Sequence, residues 1–426
     1  MNVRTVLLAA AVAAVAVPAS RAAAVDLHGY LRSGIGGNSG GGQQVCFQTP
    51  GVSYKFRLGN ECENYAELQF DERLYKDKTG VEFLYSGMLA YVTPGGGDFE
   101  SFKNGNSDIA LRQNWIAAKG LPFMGGAWLW VGKRYYHRND LHMIDFFYWD
   151  PSGPGAGIED VELGPVKLAY ALFQNKNGDL HTVWRHDLRV QGIAVNPNGS
   201  LDVGLDLYYA ADHTGTANPD RQTWSPWLTV QHTQVDVLGG FNKLALQWAT
   251  GTAASMNQYP DTSATDKARQ WRVVEHLVLQ PVKEFSGTLA VVYQDTERFY
   301  GGDNNRKSLG IGVRPAYHFN DYFKLQAEVG YSQSQRKAIL GNTNTRTASL
   351  TKLTLAPTIT PAANPGGPVF TRPELRLFAT YAFWNGAAQD DGIVGQGTCS
   401  ATGASTSPFA CDKNGITFGA QLEAWW

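Results

Sequence analysis

Five aromatic residues share strand faces with charged or polar ones. Successive side chains of a strand point to opposite sides, so residues two apart share a face. Tyr30 stands two before Arg32, and Tyr65 lies between Glu63 and Glu67. Phe241 shares a parity with Lys243 and Gln247, Phe370 with Arg372, Glu374 and Arg376, and Trp425 with Glu423. A ring on a wet face exposes apolar surface at a cost unless something stacks on it. A pyranose has an apolar C–H face and a hydroxyl rim. It can lie on such a ring while flanking ions take its hydroxyls in charge-assisted hydrogen bonds. Arginine suits that task because its planar fork holds two hydroxyls at once. The plainer reading of any single ring is a membrane-interface girdle. Five rings on the polar parity are hard to assign to girdles, and together they point to a sugar-binding surface.

Strands must carry these residues. In the last segment Phe418, Ala420, Leu422 and Ala424 form an apolar side, and Thr417, Gly419, Gln421 and Glu423 a polar one, before the chain ends on Trp426. The segments 201–208, 241–248, 323–329 and 374–381 alternate in the same way. Long polar loops (251–267 and 389–414) alternate with tight connections such as Asn196-Pro197-Asn198-Gly199. A β-sandwich would usually have short loops at both ends. Unequal ends are the pattern of a transmembrane β-barrel, and in lipid only a closed barrel satisfies every strand's backbone groups. Length alone supports roughly 16 to 18 strands of about ten residues.

The N-terminus agrees on the compartment. Arg4, an apolar run from Val6 to Val17, Pro18 and the small residues Ala22-Ala23-Ala24 read as a secretory signal peptide over residues 1–24. A single barrel domain over residues 25–426 follows, in a bacterial outer membrane. It contains no apolar run long enough for a transmembrane helix. A net charge of −2 makes nucleic acid an improbable partner. Cys46, Cys62, Cys399 and Cys411 form no C-x-x-C pair, so neither zinc nor any other metal or cofactor is expected. In an oxidising compartment they read as two local disulfides, Cys46–Cys62 and Cys399–Cys411, rather than as four free thiols. Each would stabilise its loop by roughly 3 kcal/mol in the chain-entropy model.

Longer motifs resemble the maltoporin family. They include Val25-Asp26-Leu27-His28-Gly29-Tyr30 with Arg32-Ser33-Gly34, and Arg57-Leu58-Gly59-Asn60-Glu61-Cys62-Glu63-Asn64-Tyr65-Ala66-Glu67. The most specific is Gly132-Lys133-Arg134-Tyr135-Tyr136-His137-Arg138-Asn139-Asp140, continuing through His142-Met143-Ile144-Asp145-Phe146 and Tyr148-Trp149-Asp150. Gly240-Phe241-Asn242-Lys243, Arg372-Pro373 and Trp425-Trp426 complete the set. The resemblance implies an all-β, 18-stranded antiparallel transmembrane barrel with an inward-folded constriction loop over residues 140–157. It further implies a homotrimer in outer-membrane lipid that passes maltose and maltodextrins. By motif position the aromatic stripe maps to Tyr30, Tyr65, Phe241, Phe370 and Trp425, with Phe99 reaching in from a neighbouring subunit. The polar track maps to Arg32, Arg57, Glu67, Arg112, Arg138 and Asp145. The resemblance leaves room for a periplasmic sugar-binding protein or a phage as further partners.

Three positions depart from the family. Phe99 and Phe370 stand where the family has Trp, and Phe147 stands for the constriction Tyr, which removes one hydroxyl. Three other readings compete. A general diffusion porin explains the barrel but not five inward rings. A porin for sucrose or another oligosaccharide explains nearly as much, although some such relatives carry an N-terminal coiled coil before the first strand. A hydrolase would need a nucleophile and base, for which His142, Asp145 and Ser152 are the nearest set. The expectation is a channel, not an enzyme.

Overall fold

The computed structural model describes residues 25–101, 107–177, 181–210, 223–258, 260–299, 305–337, 345–361, 370–392, 399 and 408–426. The expected signal peptide, 1–24, lies outside the described residues. Eighteen strands form one antiparallel sheet. The first strand, Asp26–Asn38, pairs with the second, Asn64–Lys76, on one side and with the last, Asn414–Trp425, on the other. The sheet is thereby closed and has no free edge.

The wall is inverted relative to a soluble protein. Along Glu374–Trp384, Leu377 is 62% exposed on the outside while Arg376 beside it is 7% exposed on the inside. Apolar residues face lipid, and the lumen is filled with ions. Tight turns close one end at 164–165, 197–198, 238–239 and 283–284, and the long connections lie at the other, which is the outer end. The expected turn at Pro197–Asn198 joins His181–Asn196 to Gly199–Ala210, with Asn198 left-handed at φ 60°.

Among the described residues, two outer loops run deep into the lumen. The third contains Asn139–Leu141, a short turn of helix His142–Ile144, and Phe146–Trp149. The first, residues 39–63, runs beside it: the Lys55 amide donates to the Ile144 carbonyl and the Arg57 amide to the Met143 carbonyl, each at 3.1 Å. Cys46–Cys62 staples the base of the first loop, and Cys399–Cys411 closes the last, as the spacing indicated. One boundary needs correction. The inward loop was expected to reach Gly157, but residues from Gly153 onward already belong to the wall strand Gly153–Leu163, paired with Trp128–Arg134. Its glycines serve packing: a Cβ on Gly157 would meet Trp130 Nε1 at 2.9 Å, and one on Gly155 would meet Phe173 at 2.8 Å.

Glycines also seat the first loop. The rings of Tyr54 and Phe56 lie on a bare patch of wall formed by Gly310, Gly312 and Gly330, where an added Cβ would approach ring atoms to 2.4, 2.2 and 2.3 Å. Gly330→Leu should therefore expel Phe56 and destabilise the barrel by about 1–3 kcal/mol through overpacking. The shift would appear in the urea midpoint of the folded barrel. Gly287→Ala, where the nearest atom is 3.7 Å away, should leave the midpoint in place.

Candidate functional site

Strand register places the outer rings. Tyr30 lies opposite Trp425 on one side and Glu67 on the other, while Arg32 lies opposite Glu423 and Tyr65. Diagonal neighbours across such strands are within reach of aromatic side chains. Tyr65 and Tyr30 have ring centres 6.0 Å apart, and Tyr30 and Trp425 are stacked at 6.4 Å and 20°. Phe370 and Phe241 stack at 6.4 Å and 8°. His142 joins the two runs: it meets Trp425 edge-on at 5.5 Å and lines one cleft with Phe370 and Arg372. Parity does not account for Phe370, because its strand begins only at Glu374 and residues 370–373 are irregular. Inside the lumen its ring stacks on Phe241, and the following Arg372 is tied to Glu374 and Glu423.

The flanking ions form two groups. In the first, Glu423 is the hub, 4% exposed. It accepts from Tyr30 Oη at 3.0 Å, Arg57 Nη2 at 3.1 Å, Arg372 Nη2 at 2.8 Å and Arg376 Nη2 at 2.7 Å. Arg57 also pairs with Glu61, and Arg32 with Glu63. Arg32 lies 5.0 Å over the Tyr65 ring and 3.9 Å from Asp145. Arg57 Nη1 reaches His142 Nδ1 at 3.1 Å, while His142 Nε2 is 3.3 Å from Glu423. Of the two neutral tautomers, the one with its proton on Nε2 donates to Glu423 and accepts from Arg57 at Nδ1, while Arg57 Nη1 and Arg372 Nη2 lie at the longer distances of 3.4 and 3.5 Å from Nε2. Burial, and then the Arg57 charge, lower the imidazole pKa below the ordinary value, which keeps it neutral near pH 7.

In the second group Tyr135 is the link. Arg112 donates to its hydroxyl, which donates to Glu67 at 3.0 Å. Arg138 is sandwiched between the rings of Tyr135, at 3.8 Å, and Phe147, at 4.0 Å. Phe147, 38% exposed, faces open space on its other side. The structure thus assembles all six expected polar residues in two clusters beside the rings. Phe99 stands apart, 86% exposed on the second outer loop. The nearest hydrolase set does not assemble. Ser152 Oγ accepts from the Tyr136 amide at 3.1 Å, and His142 is committed to Arg57 and Glu423. Sequence reasoning missed Tyr135, Lys55 and Glu61. They sit in inward loops, where no strand period marks a face.

Residues 25–426 match the model of the LamB porin family. The chain belongs to this family. As a LamB porin it is an outer-membrane β-barrel channel. Among solved structures, Pseudomonas aeruginosa OccK2 (OpdF), in complex with glucuronate, overlaps with a TM-score of 0.49 at 9% identity, over 94% of this chain and 98% of that one. Acinetobacter baumannii OccAB2 overlaps at 0.48 and 10%, over 95% and 98%. The Escherichia coli carbohydrate-binding barrel Wzi overlaps at 0.44 and 11%, over 94% and 84%. Overlaps this loose add nothing to the family match.

The ion hub of this LamB porin sets two expectations. Glu423→Gln leaves three guanidinium groups facing a neutral amide, and breaking such a buried network should cost about 3–5 kcal/mol in the urea midpoint. Glu61 responds to pH. Burial pushes its carboxyl up, but Arg57, Lys55 and Arg32 outweigh burial and hold it at about 2 against an ordinary 4.5. Its contribution to docking the first loop is therefore full above pH 4.5 and lost as pH falls toward 2. Proteolysis of the first loop should rise across that window, and Glu61→Gln should show the acid-state cleavage already at pH 7.

Proposed function

We propose that this barrel carries maltose and maltodextrins across the outer membrane by facilitated diffusion. The observation behind this reading is the run of rings from Tyr65 through Tyr30 and Trp425 to Phe370 and Phe241, flanked by fixed ions. Neighbouring centres within each run are 6.0–6.4 Å apart. A linear glucan presents the apolar faces of its pyranoses to the rings and its hydroxyls to Arg32, Arg57, Glu67, Arg112, Arg138 and Asp145. Phe147 narrows the pore opposite the stripe. Phe99 joins the outer end of the stripe from an adjacent subunit of a trimer, which accounts for a large ring left exposed in the single chain. Residues 1–24 direct export and are removed from the mature chain.

Block of ion current across a lipid bilayer tests the proposal. Maltodextrins should block at lower concentration than sucrose or non-glucose oligosaccharides; equal block by all of them would leave only a general sugar porin. Trp425→Ala should weaken maltodextrin block by about 1–3 kcal/mol, the value of one stacked ring, with little change in open conductance. Unchanged affinity in both Trp425→Ala and Phe370→Ala would refute the stripe. Phe147→Ala should raise single-channel conductance, because pore width at the constriction limits ion flow. Unchanged conductance with a heat-labile oligomer would make Phe147 an anchor instead.

A further inference from the structure

A cavity of about 700 Å³ opens on the outer side of the inward loop, between Phe146, Phe147, the outer loops and the wall. That is in the size range of small-molecule sites. Its lining holds five arginines against three aspartates. Arg336 pairs with Asp391 at 3.5 Å, and two of the aspartates are also paired, Asp150 with Arg138 of the same lining at 3.6 Å and Asp145 with Arg32 at 3.9 Å. The third, Asp261, accepts from the amide and hydroxyl of Ser263 on an outer loop.

Arg272 sets this cavity apart. It lies in the wall on the strand Arg269–Val282 and is 3% exposed. Other buried guanidinium groups of the lumen have carboxylates: Arg185 has Asp206, Arg189 has Asp187, Arg314 has Glu328, and Arg376 has Glu374 and Glu423. Arg272 has none among the described residues. Its Nε donates to Gln294 at 2.9 Å, and its Nη1 to Gln247 at 3.1 Å and to the Tyr148 carbonyl at 3.2 Å. Its Nη2 reaches the Met256 carbonyl at 3.5 Å and, with the Gln270 amide turned to face it, the Gln270 oxygen at 3.2 Å. Every one of these acceptors is neutral. They satisfy N–H groups, and the Phe146 ring lies 5.0 Å from the guanidinium, but no carboxylate balances its positive charge in the buried wall. Arg112, in the same lining, directs its Nε to the Tyr135 hydroxyl and has no carboxylate in ion-pair range among the described residues.

We infer that this outer vestibule binds an anionic solute, a sugar bearing a carboxylate or a phosphate, ahead of the ring stripe. An uncompensated cation at low dielectric attracts a mobile anion far more than a neutral hydroxyl. The vestibule shares Arg112, Arg138, Asp145 and Phe147 with the proposed glucan path, but the charge that defines it is that of Arg272, which the neutral-glucan reading does not use.

The test compares current block by matched pairs added from the outer side: galacturonate against galactose, and glucose 6-phosphate against glucose. At about 0.1 M KCl at least one acid should block at about a fivefold lower concentration than its neutral partner. The advantage should shrink toward about 1 M KCl as the charge is screened. Which acid wins tells carboxylate from phosphate. Gln294→Glu supplies the missing carboxylate beside Arg272 while keeping every anchor of the inward loop, and it should abolish the advantage. The inference is overturned if neither acid outperforms its neutral partner, or if the advantage survives in Gln294→Glu. Should that variant fail to insert, an advantage in the native protein that does not change with KCl overturns it equally.

Discussion

An irregular loop inside a membrane barrel brings backbone carbonyls to a place where no sheet partner exists, and the rest of the lumen depends on how they are satisfied. Here wall arginines answer them. Arg185 donates to the Asp150 carbonyl and Arg189 to the His137 carbonyl, each at 3.1 Å. Arg272 and Gln247 both donate to the Tyr148 carbonyl, and Arg314 reaches the Met143 carbonyl at 3.3 Å. Four strands far apart in sequence thus hold one short loop at several points. The loop in turn fixes His142 against Trp425 and Phe147 against Arg138.

A buried arginine that anchors a carbonyl still carries a charge, and the lumen must neutralise it. Most anchors do so locally: Arg185 with Asp206 at 2.6 Å, Arg189 with Asp187 at 2.9 Å, Arg314 with Glu328 at 2.6 Å. Such pairs add little net stability when set against a hydrophobic replacement, but breaking one is expensive. Their value here is positional. A polar wall is compulsory around a wet pore, and paired ions give it a single arrangement. The carboxylate missing beside Arg272 stands out against that rule.

How much of this is legible in sequence follows from which elements have a period. Strand parity placed Tyr30, Tyr65, Phe241 and Trp425 inside, because alternation is a property of the chain itself. The same rule reached Phe370 through residues that are not a strand. Phe370 does face inward, where it stacks on Phe241, a tertiary partner no local pattern reveals. Loop residues have no period. Arg57 and Arg138 came from motif resemblance alone; Tyr135 and Glu61 lie within those motifs but were given no role, and Lys55 lies outside them. The glycine floor of Gly310, Gly312 and Gly330 was invisible for a related reason: each glycine reads locally as a weak strand residue until the ring resting on it is known.

The two clusters differ in a way that bears on transport. Around Glu423 the donors come from the first loop, the last strand's neighbour and the segment after Phe370, and nearly every lone pair is occupied. Around Tyr135 the guanidinium of Arg138 lies between two ring faces and has one carboxylate, Asp150, at the longer distance of 3.6 Å. The first group is rigid and presents a fixed edge to a passing hydroxyl. The second can trade a ring contact for a hydroxyl contact at small cost, since cation–π contacts at exposed sites are worth about 0.5–1 kcal/mol. Conduction needs sites strong enough to enter and weak enough to leave. On the proposed reading, a rigid cluster along the ring stripe and a yielding one at the constriction divide those two demands between them. The loss of a hydroxyl at Phe147 then makes the yielding step depend on Arg138 and Tyr135 alone.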